Sequence, residues 1–376
     1  MNRLWLVNNN DDTLTNSSSG AIATHIHETA AELRSTGVEV NIVSRAGDPD
    51  DLSDDCFQVR PAANSRRRLR LTRRAFGLRD LGQAEYHVDV LCLLRSCSRA
   101  GDAVLFHNDP ELATLASWLL RGRRVGHLMH NHLVLRTPWP RLVSRSSVVQ
   151  IAVSSHVAHF AADSLGLRRV GVALNGVDLF RFKPGAPTAD VSPVTIGFTG
   201  RTGREKGLDL LLRACLQLPE GLPPWRLQTI GSNRWGGRTM DNYQVELDAL
   251  YVELAGRGVE VRREGHVGRA DLPAILSRAD VLVVPSRWDE PSGLVTLEGL
   301  ATGLALIASD TGGSSELLEG VGLMFPRDDV DALSAHLFSV ISDETLRAGL
   351  QMRARIRAED LSWARTAATI ASLLGL

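Results

Sequence analysis

Lysine, cysteine and long apolar runs are scarce in this chain, and each scarcity narrows its possible function. Lys183 and Lys206 are the only lysines among 42 basic residues, so a lysine within a motif is more informative than usual. The 4 cysteines have neither metal nor redox spacing, which predicts reduced thiols; they are Cys56, Cys92, Cys97 and Cys215. No apolar run reaches about 18 residues, so we expect no transmembrane helix and a cytoplasmic protein.

The chain has no large excess of positive or negative charge, which disfavours a nucleic-acid-binding function. The formal net charge is −1, and no aromatic stacking platform is evident. One segment departs from this balance: residues 64–81, NSRRRLRLTRRAFGLRDL, interleave arginines with leucines. Three interpretations of it stay open, namely a solvated mobile loop, a binding site for an anionic acceptor, and a peripheral contact with an anionic inner membrane face.

The length of 376 residues predicts two domains, since one core seldom grows this large. Apolar strands alternate with amphipathic stretches, which is typical of α/β domains. The turn-rich segment GVALNGVDLFRFKPGAPTADVSP predicts a linker, so we expect domains at 1–185 and 186–360. The last 40 residues or so are predicted helical throughout, and we expect the helix at about 360–376 to pack back on the first domain.

Both halves open with a strand, a glycine turn and a helix, as in RLWLVN followed by SSSGAIATHIHETAAELRSTG, and in VTIGFTG followed by KGLDLLLRACLQL. This pattern favours two doubly wound parallel sheets. Such sheets bind ligands at the carboxyl ends of their strands, and two of them facing each other would form a cleft.

The stretch DVLVVPSRWDEPSGLVTLEGLATG predicts an anion site at a strand-to-helix junction. A buried strand ends at Pro285 and a helix starts near Gly293. The backbone N–H groups of Ser292, Gly293, Leu294 and Val295 are then free at a helix N-terminus. Glu290 precedes that terminus and Glu298 lies two turns into the helix. Each glutamate alone would be a surface or capping residue. Two carboxylates around an anion site suit a phosphorylated sugar, because they can accept hydrogen bonds from its hydroxyls.

Histidines cluster in LFHND and HLMHNH, which hold His107, His127, His130 and His132. They lie at alternating positions of a predicted strand or at a strand end, and they have no carboxylate partner. We therefore expect packing and substrate roles and no metal.

Here the sequence resembles a known family. The stretch around Glu290 and Glu298 resembles the E-x7-E motif of the retaining glycosyltransferases of family 4, which have the GT-B fold. GRTGREKGLDLLLRA resembles the family's G-R-x-x-x-x-K-G turn, and VALNGVDLFRFKP resembles its N-G-V-D linker. The resemblance extends over nearly the whole chain. It implies an α/β GT-B architecture of two Rossmann-like doubly wound parallel-sheet domains facing across a cleft, with acceptor binding in the first and nucleotide-sugar binding in the second.

The resemblance also implies roles in donor binding. Arg201 and Lys206 would hold the diphosphate and stabilise the charge that develops as the nucleotide leaves. Glu298 would bind the ribose hydroxyls, and Glu290 the hydroxyls of the donor sugar. The remaining implied contacts are the base near Gly231, the backbone around His266 and Val267, and the amides of Ser292, Gly293, Leu294 and Val295.

From the first domain, the resemblance implies a glycine loop at Gly20, with Ala21 in place of the family's second glycine. His130 matches the family histidine near the reactive end of the donor sugar. His107 and Asn131 would line the acceptor side. Further departures are Ser292, Gly299 and Ala305 for the family's Phe, Ala and Pro; none removes a charged group.

The sequence is thus interpreted as a metal-independent retaining glycosyltransferase. It would need no cofactor and would transfer a hexose or N-acetylhexosamine from a nucleotide diphosphate sugar, UDP-linked by preference. Its acceptor would be a sugar, cyclitol, lipid or natural product. Two alternatives stay open: a GT-B-fold nucleotide-sugar epimerase or hydrolase, and a non-catalytic nucleotide-sugar-binding protein.

Overall fold

A computed structural model describes residues 3–9, 14, 20–45, 56–59, 81–185, 193–232 and 242–376. The chain divides into two compact units. The first, here the N-terminal unit, is Met1–Gly176 together with Trp363–Leu376, and the second, the C-terminal unit, is Val177–Ser362. The division falls inside the predicted linker and before residue 185. Nearly all of the arginine-rich segment 64–81 lies outside the described residues.

The N-terminal unit contains a parallel sheet of 7 strands in the order β3-β2-β1-β4-β5-β6-β7. The strands are β1 Arg3–Val7, β2 Glu39–Arg45, β3 Cys56–Val59, β4 Ala103–His107, β5 Arg124–Met129, β6 Val149–Ala152 and β7 Gly171–Val172. The helices are Ala21–Ser35, Leu81–Cys97, Pro110–Leu119, Trp139–Ser144, Ser155–Leu165 and Trp363–Leu374. The order reverses between β1 and β4, which makes their carboxyl ends the switch point of this sheet.

Both faces of this sheet are covered, which explains its nearly continuous apolar strands. In β1, Leu4 and Leu6 belong to one buried cluster with Leu105. Trp5 and Val7 belong to a second cluster with Phe106. Successive side chains of a strand point to opposite faces, so two separate cores on one strand mean helices on both sides.

The helix Trp363–Leu374 completes the first of these cores. Trp363, Ala367, Ile370 and Leu374 are buried at helical spacing. The last three belong to the cluster around Leu6. This apolar stripe packs against the helix Ala21–Ser35 of the same unit.

The last 40 residues, predicted helical throughout, are largely helical but are interrupted twice. Three helices occupy the region: Val330–Ser342, Glu344–Glu359 and Trp363–Leu374. Asp343 interrupts the first two because its extended backbone and its Oδ1, which accepts from the Leu346 N–H at 2.9 Å, begin a new helix.

The C-terminal unit contains a parallel sheet of 6 strands in the order β10-β9-β8-β11-β12-β13. The strands are β8 Val194–Thr199, β9 Trp225–Ile230, β10 Glu260–Gly265, β11 Val281–Val284, β12 Ala305–Ser309 and β13 Leu323–Phe325. The helices are Leu208–Leu216, Asn242–Gly256, Leu272–Leu276, Leu294–Thr302, Ser314–Leu318, Val330–Ser342 and Glu344–Glu359. Here the order reverses between β8 and β11. The two doubly wound parallel sheets confirm the predicted fold class.

Within the described ranges, no helix combines the length and the apolar character that crossing a membrane requires.

Candidate active site

The predicted donor-binding residues of the C-terminal unit follow the carboxyl ends of four neighbouring strands. Arg201 and Lys206 follow β8, Gly231 follows β9, His266 follows β10, and Glu290 follows β11. These strands are hydrogen-bonded neighbours and run parallel. Their carboxyl ends therefore meet at one edge of the sheet, around the switch point where doubly wound sheets bind ligands.

Glycines let the strand ends approach each other closely at this edge. Gly231 has φ +131°, and a Cβ there would lie 1.8 Å from the carbonyl oxygen of Gly200. Its N–H donates to the carbonyl of Gly265 at 2.6 Å. A side chain at Gly231 would push apart the ends of β8 and β9, so this position requires glycine.

The turn that carries Lys206 packs directly on the loop that follows β11. Arg204–Lys206 form one 3-10 turn, and Gly207 ends it with φ +68°. A Cβ at Gly207 would lie 1.9 Å from the carbonyl oxygen of Pro285. The two loops are therefore held together through backbone contact.

Lys206 and Glu290 form an ion pair between these loops, Lys206 Nζ with Glu290 Oε1. Both side chains are mostly buried, with exposed fractions of 23% and 15%. Ser286 Oγ donates to the same carboxylate oxygen at 3.0 Å. The lysine predicted to bind the diphosphate and the glutamate predicted to bind the sugar thus neutralise each other's charge.

The backbone of Glu290 is held as firmly as its side chain. Its carbonyl accepts a hydrogen bond from the Gly313 N–H at 2.6 Å. Gly312, with φ +58°, lies so close that a Cβ would be 2.3 Å from the Glu290 carbonyl oxygen. The segment after β12 therefore fixes the main chain of Glu290, which helps to position its carboxylate.

The helix Leu294–Thr302 begins beside this carboxylate with no side-chain cap. Gly293 precedes it with φ +57°, and a Cβ there would lie 2.6 Å from Ser314 Oγ. Ser292 is buried, whereas Leu294 and Val295 are partly exposed. The first-turn N–H groups of an uncapped helix have no intrahelical acceptor and attract an anion.

Glu298, on the second turn of the same helix, is a mostly buried carboxylate. Burial raises its pKa from the ordinary value to about 7, although the charges of Arg269 and Arg181 pull the other way. Among the described residues, no group donates a hydrogen bond to it. A mostly buried carboxylate gains from the hydroxyl donors of a ligand.

The other donor residues predicted in this unit lie at its surface. Arg201 is 53% exposed and contacts Glu205, with Nη2 and Oε1 at 3.2 Å. His266 is exposed and Val267 partly so. They share the edge of the sheet with Lys206.

Sequence reasoning missed Arg287, which links the same loops. Its Nη1 and Nη2 donate to the two carboxylate oxygens of Asp209 at 2.7 and 2.8 Å. The arginine lies within the quoted stretch DVLVVPSRWDEPSGLVTLEGLATG, but its partner Asp209 is far away in sequence. Only the general preference of buried Asp for Arg could have suggested the pair.

In the N-terminal unit, His107 and His130 are brought together at the ends of β4 and β5. His107 Nδ1 and His130 Nε2 lie 2.9 Å apart, and the rings stack with centroids 5.2 Å apart. His25, from the helix Ala21–Ser35, lies edge-on to both rings, with centroids at 5.5 and 4.8 Å. Trp363 contacts the other side of His25 at 5.5 Å.

Sequence reasoning also missed His25. Its only signal was the ATHIHE stretch at a helix start. His25, His107 and His130 each offer a nitrogen, and these lie within 4.8 Å of one another, a spacing that could hold a metal ion. Burial lowers the pKa of His25 to about 3 and keeps the pKa values of His107 and His130 well below normal. The three rings are therefore neutral at pH 7.

The remaining residues predicted in this unit differ in character. Gly20 precedes the helix Ala21–Ser35 with φ −70°, and a Cβ there would meet nothing within 4 Å. Its backbone therefore does not itself demand glycine. Asn131 is exposed, next to the buried His130. His127 packs in the sheet with Nδ1 2.9 Å from Gln150 Oε1, which agrees with the packing interpretation.

Comparison with known proteins supports the enzyme class. Residues 22–181 match the model described as Glycosyltransferase Family 4, and residues 181–357 match the one described as Glycosyl transferases group 1. Both models describe glycosyltransferases, so the chain is a glycosyltransferase of the family 4 and group 1 type.

Solved structures of the GT-B fold agree with this assignment. A glycosyltransferase of Rickettsia africae superposes with a TM-score of 0.77 at 16% identity, over 99% of this chain and 97% of that one. The Anabaena protein Alr3699/HepE in complex with UDP superposes with a TM-score of 0.72 at 18% identity, over 100% of both chains. At these identities the likeness shows the fold.

Curated relatives share more of the sequence. A D-inositol 3-phosphate glycosyltransferase of Corynebacterium jeikeium is 25% identical over 94% of this chain and 91% of its own length. A phosphatidyl-myo-inositol mannosyltransferase of Mycolicibacterium smegmatis is 30% identical over 63% of this chain and 58% of its own length.

Proposed function

We propose that this glycosyltransferase is a retaining, metal-independent enzyme that moves a hexose or N-acetylhexosamine from a UDP-sugar to a hydroxyl acceptor. The observation that carries the proposal is the Lys206–Glu290 pair beside the uncapped helix Leu294–Thr302. A cation, a carboxylate and free amides at one switch point suit a ligand with both phosphate and hydroxyl groups.

The diphosphate would be bound by charge and not by a metal ion. Lys206 Nζ would exchange its bond with Glu290 for one with a phosphate oxygen, and the exposed Arg201 is free to swing from Glu205 onto the same anion. The first-turn amides of Leu294 and Val295 add partial positive charge. Together they would stabilise the negative charge that grows as the nucleotide leaves.

The two glutamates would divide the hydroxyls of the donor. Glu290, released by Lys206, would accept from the sugar, and Glu298 would accept from the ribose. The burial of Glu298, which raises its pKa to about 7, supports this role, because a hydroxyl donor would stabilise its ionised form. Gly231 and the backbone at His266 and Val267 would leave room for the base.

Retention follows from the proposed use of these groups. An inverting enzyme needs a general base on the face opposite the leaving group. In our proposal Glu290 is occupied by the sugar hydroxyls, and the departing diphosphate accepts the acceptor's proton on its own face. An α-linked donor then yields an α-linked product.

The acceptor is proposed from the relatives, two of which carry inositol in their names. An inositol phosphate or inositol lipid is therefore the first acceptor class to test, followed by other sugars, cyclitols and natural products. His130 is proposed to act on the donor sugar, and His107 and Asn131 on the acceptor side.

The experiment is product analysis with UDP-sugars and a panel of cyclitol and sugar acceptors, with and without chelator. Proton NMR of the new anomeric signal should show an α-linked product that also forms in saturating chelator. A β-linked product, or loss of all activity with chelator, would overturn the mechanism. A changed or hydrolysed donor without acceptor transfer would favour the epimerase or hydrolase alternative.

A further inference from the structure

Arg287 joins the loop that carries Glu290 to the turn that carries Lys206. Its Nη1 donates to the backbone carbonyl of Arg204 at 3.0 Å. Its own backbone N–H donates to the carbonyl of Glu205 at 2.8 Å. The residue thus contacts the 3-10 turn Arg204–Lys206 through both its side chain and its main chain.

The guanidinium of Arg287 also binds two carboxylates outside this turn. Nη1 and Nη2 form a bidentate pair with Asp209, and Nε donates to Asp328 Oδ1. Asp209 lies in the first turn of the helix Leu208–Leu216, directly after the 3-10 turn. A planar guanidinium bound at all three nitrogens has one orientation, which fixes the loop that carries it.

The anchor itself is buried and ionised. The Asp209 side chain is 3% exposed, and Tyr243 Oη donates to its Oδ1 at 2.7 Å. Burial alone would raise the pKa of Asp209, but the hydrogen bonds from Arg287 and Tyr243 outweigh it and hold the pKa below its ordinary value. Removal of one partner of such a buried charge pair strongly destabilises the fold around it, because the other charge is left without a countercharge.

We propose that Arg287 is a positioning residue that sets the relative placement of Lys206 and Glu290. It holds the loop after β11 against the turn after β8, so that the cation and the carboxylate face one ligand. Two ion pairs support this proposal. Arg287 pairs with Asp209, and Lys206 pairs with Glu290 between the same two loops. The inference rests on the proposed function in one respect, because sugar transfer is the reaction by which it is measured.

Arg287→Lys is the informative variant. It keeps the positive charge and the aliphatic stem and loses the planar fork that binds Asp209 and the Arg204 carbonyl together. Displacement of reacting groups by about 1 Å costs roughly 100-fold in rate, so we expect kcat to fall about 10- to 100-fold. The matched control is Arg257→Lys. This exposed arginine follows the helix Asn242–Gly256, pairs with Glu253 and donates to the Leu216 carbonyl at the end of the helix Leu208–Leu216. The kcat of this variant should stay within about twofold.

A double-mutant cycle with Lys206→Ala separates positioning from a general loss of stability. If Arg287 acts through the placement of Lys206, the double variant should be about as slow as Lys206→Ala alone. Losses that multiply, or an Arg287→Lys enzyme as fast as the wild type, would overturn the inference. Should Arg287→Lys unfold at the assay temperature, Tyr243→Phe replaces it in the cycle, since it loosens Asp209 while Arg287 remains.

The two proposals fail in different ways. A wild-type protein that transfers sugar while Arg287→Lys is unimpaired refutes the positioning role alone. A wild-type protein that transfers no sugar refutes the proposed function, and the cycle is then measured as UDP affinity by calorimetry. In that assay Arg287→Lys should weaken UDP binding about tenfold, with no further loss on top of Lys206→Ala, and an additive loss would refute the positioning role.

Discussion

Lys206 Nζ and Glu290 Oε1 are bonded to each other across two loops that follow β8 and β11. Each is the countercharge of the other. In the proposed mechanism the donor separates them, and it supplies a phosphate to Lys206 and hydroxyls to Glu290. Each of the two charged groups thereby keeps a polar partner before and after binding, which limits the cost of leaving either mostly buried group unpaired.

Lys206→Ala should lower turnover about 100- to 1000-fold, because the lost cation acts mainly on charge that develops in the transition state. Binding of uridine, which has no phosphate, should change little. The matched control is Lys183→Ala, the chain's other lysine, which is exposed in the same unit. Steady-state kinetics and calorimetry make both measurements, and an unchanged turnover would remove Lys206 from the mechanism.

Glu298 should make nucleoside binding depend on pH. Its pKa of about 7 means that the carboxylate ionises as the pH rises through neutrality. Ribose hydroxyls bind the ionised form better, so uridine affinity should increase between pH 6 and pH 8. Glu298→Gln should bind more weakly and show a flat profile. The same slope in both proteins would refute the ribose role.

The buried histidines should make the N-terminal unit sensitive to acid. Burial lowers the pKa of His25 to about 3 and of His127 to about 4. The unfolded chain then binds more protons than the folded chain below pH 6.5. Stability is therefore lost as the pH falls, by roughly 2 kcal/mol for each residue at pH 5.

Hydrogen exchange followed by mass spectrometry between pH 7 and pH 5 can locate this acid effect. Protection should fall first in the N-terminal unit, and His127→Gln should shift the acid midpoint downward. His336→Gln, at a partly exposed position of the C-terminal unit, is the control and should leave that midpoint unchanged. Earlier loss of protection in the C-terminal unit would contradict the prediction.

Gly231→Ala should destabilise the C-terminal unit by about 2 kcal/mol or more, because a Cβ there meets the Gly200 carbonyl at 1.8 Å and φ is positive. Gly256→Ala is the matched control. Gly256 ends the helix Asn242–Gly256, and a Cβ there meets nothing within 4 Å. Thermal unfolding should show a drop of roughly 4–8 °C for the first variant and no loss for the second.

Local patterns predicted the parallel sheets, because buried parallel strands are continuous apolar runs and helices between them are amphipathic. The family resemblance implied that Lys206, Gly231 and Glu290 bind the donor, and each of them follows a strand of the C-terminal sheet. What local patterns could not predict was pairing. The bonds of Glu290 to Lys206 and of Arg287 to Asp209 depend on how two loops fit together, and no spacing along the chain encodes that fit.

The histidines illustrate the same limit. His107 and His130 could be placed at the ends of strands, but His25 joins them from a helix whose rotation is set by its apolar face. The break at Asp343 was missed for another reason: a cap residue and a surface residue look alike until the backbone before the helix is seen.

The assignment of Trp363–Leu376 to the N-terminal unit has a consequence for synthesis. The C-terminal unit is one unbroken segment, so all its residues have left the ribosome before the N-terminal unit has received its last helix. The unit that is begun first is thus completed last. Until then, the apolar surface that Ala367, Ile370 and Leu374 later cover is exposed to water, which makes the nascent N-terminal unit prone to aggregation.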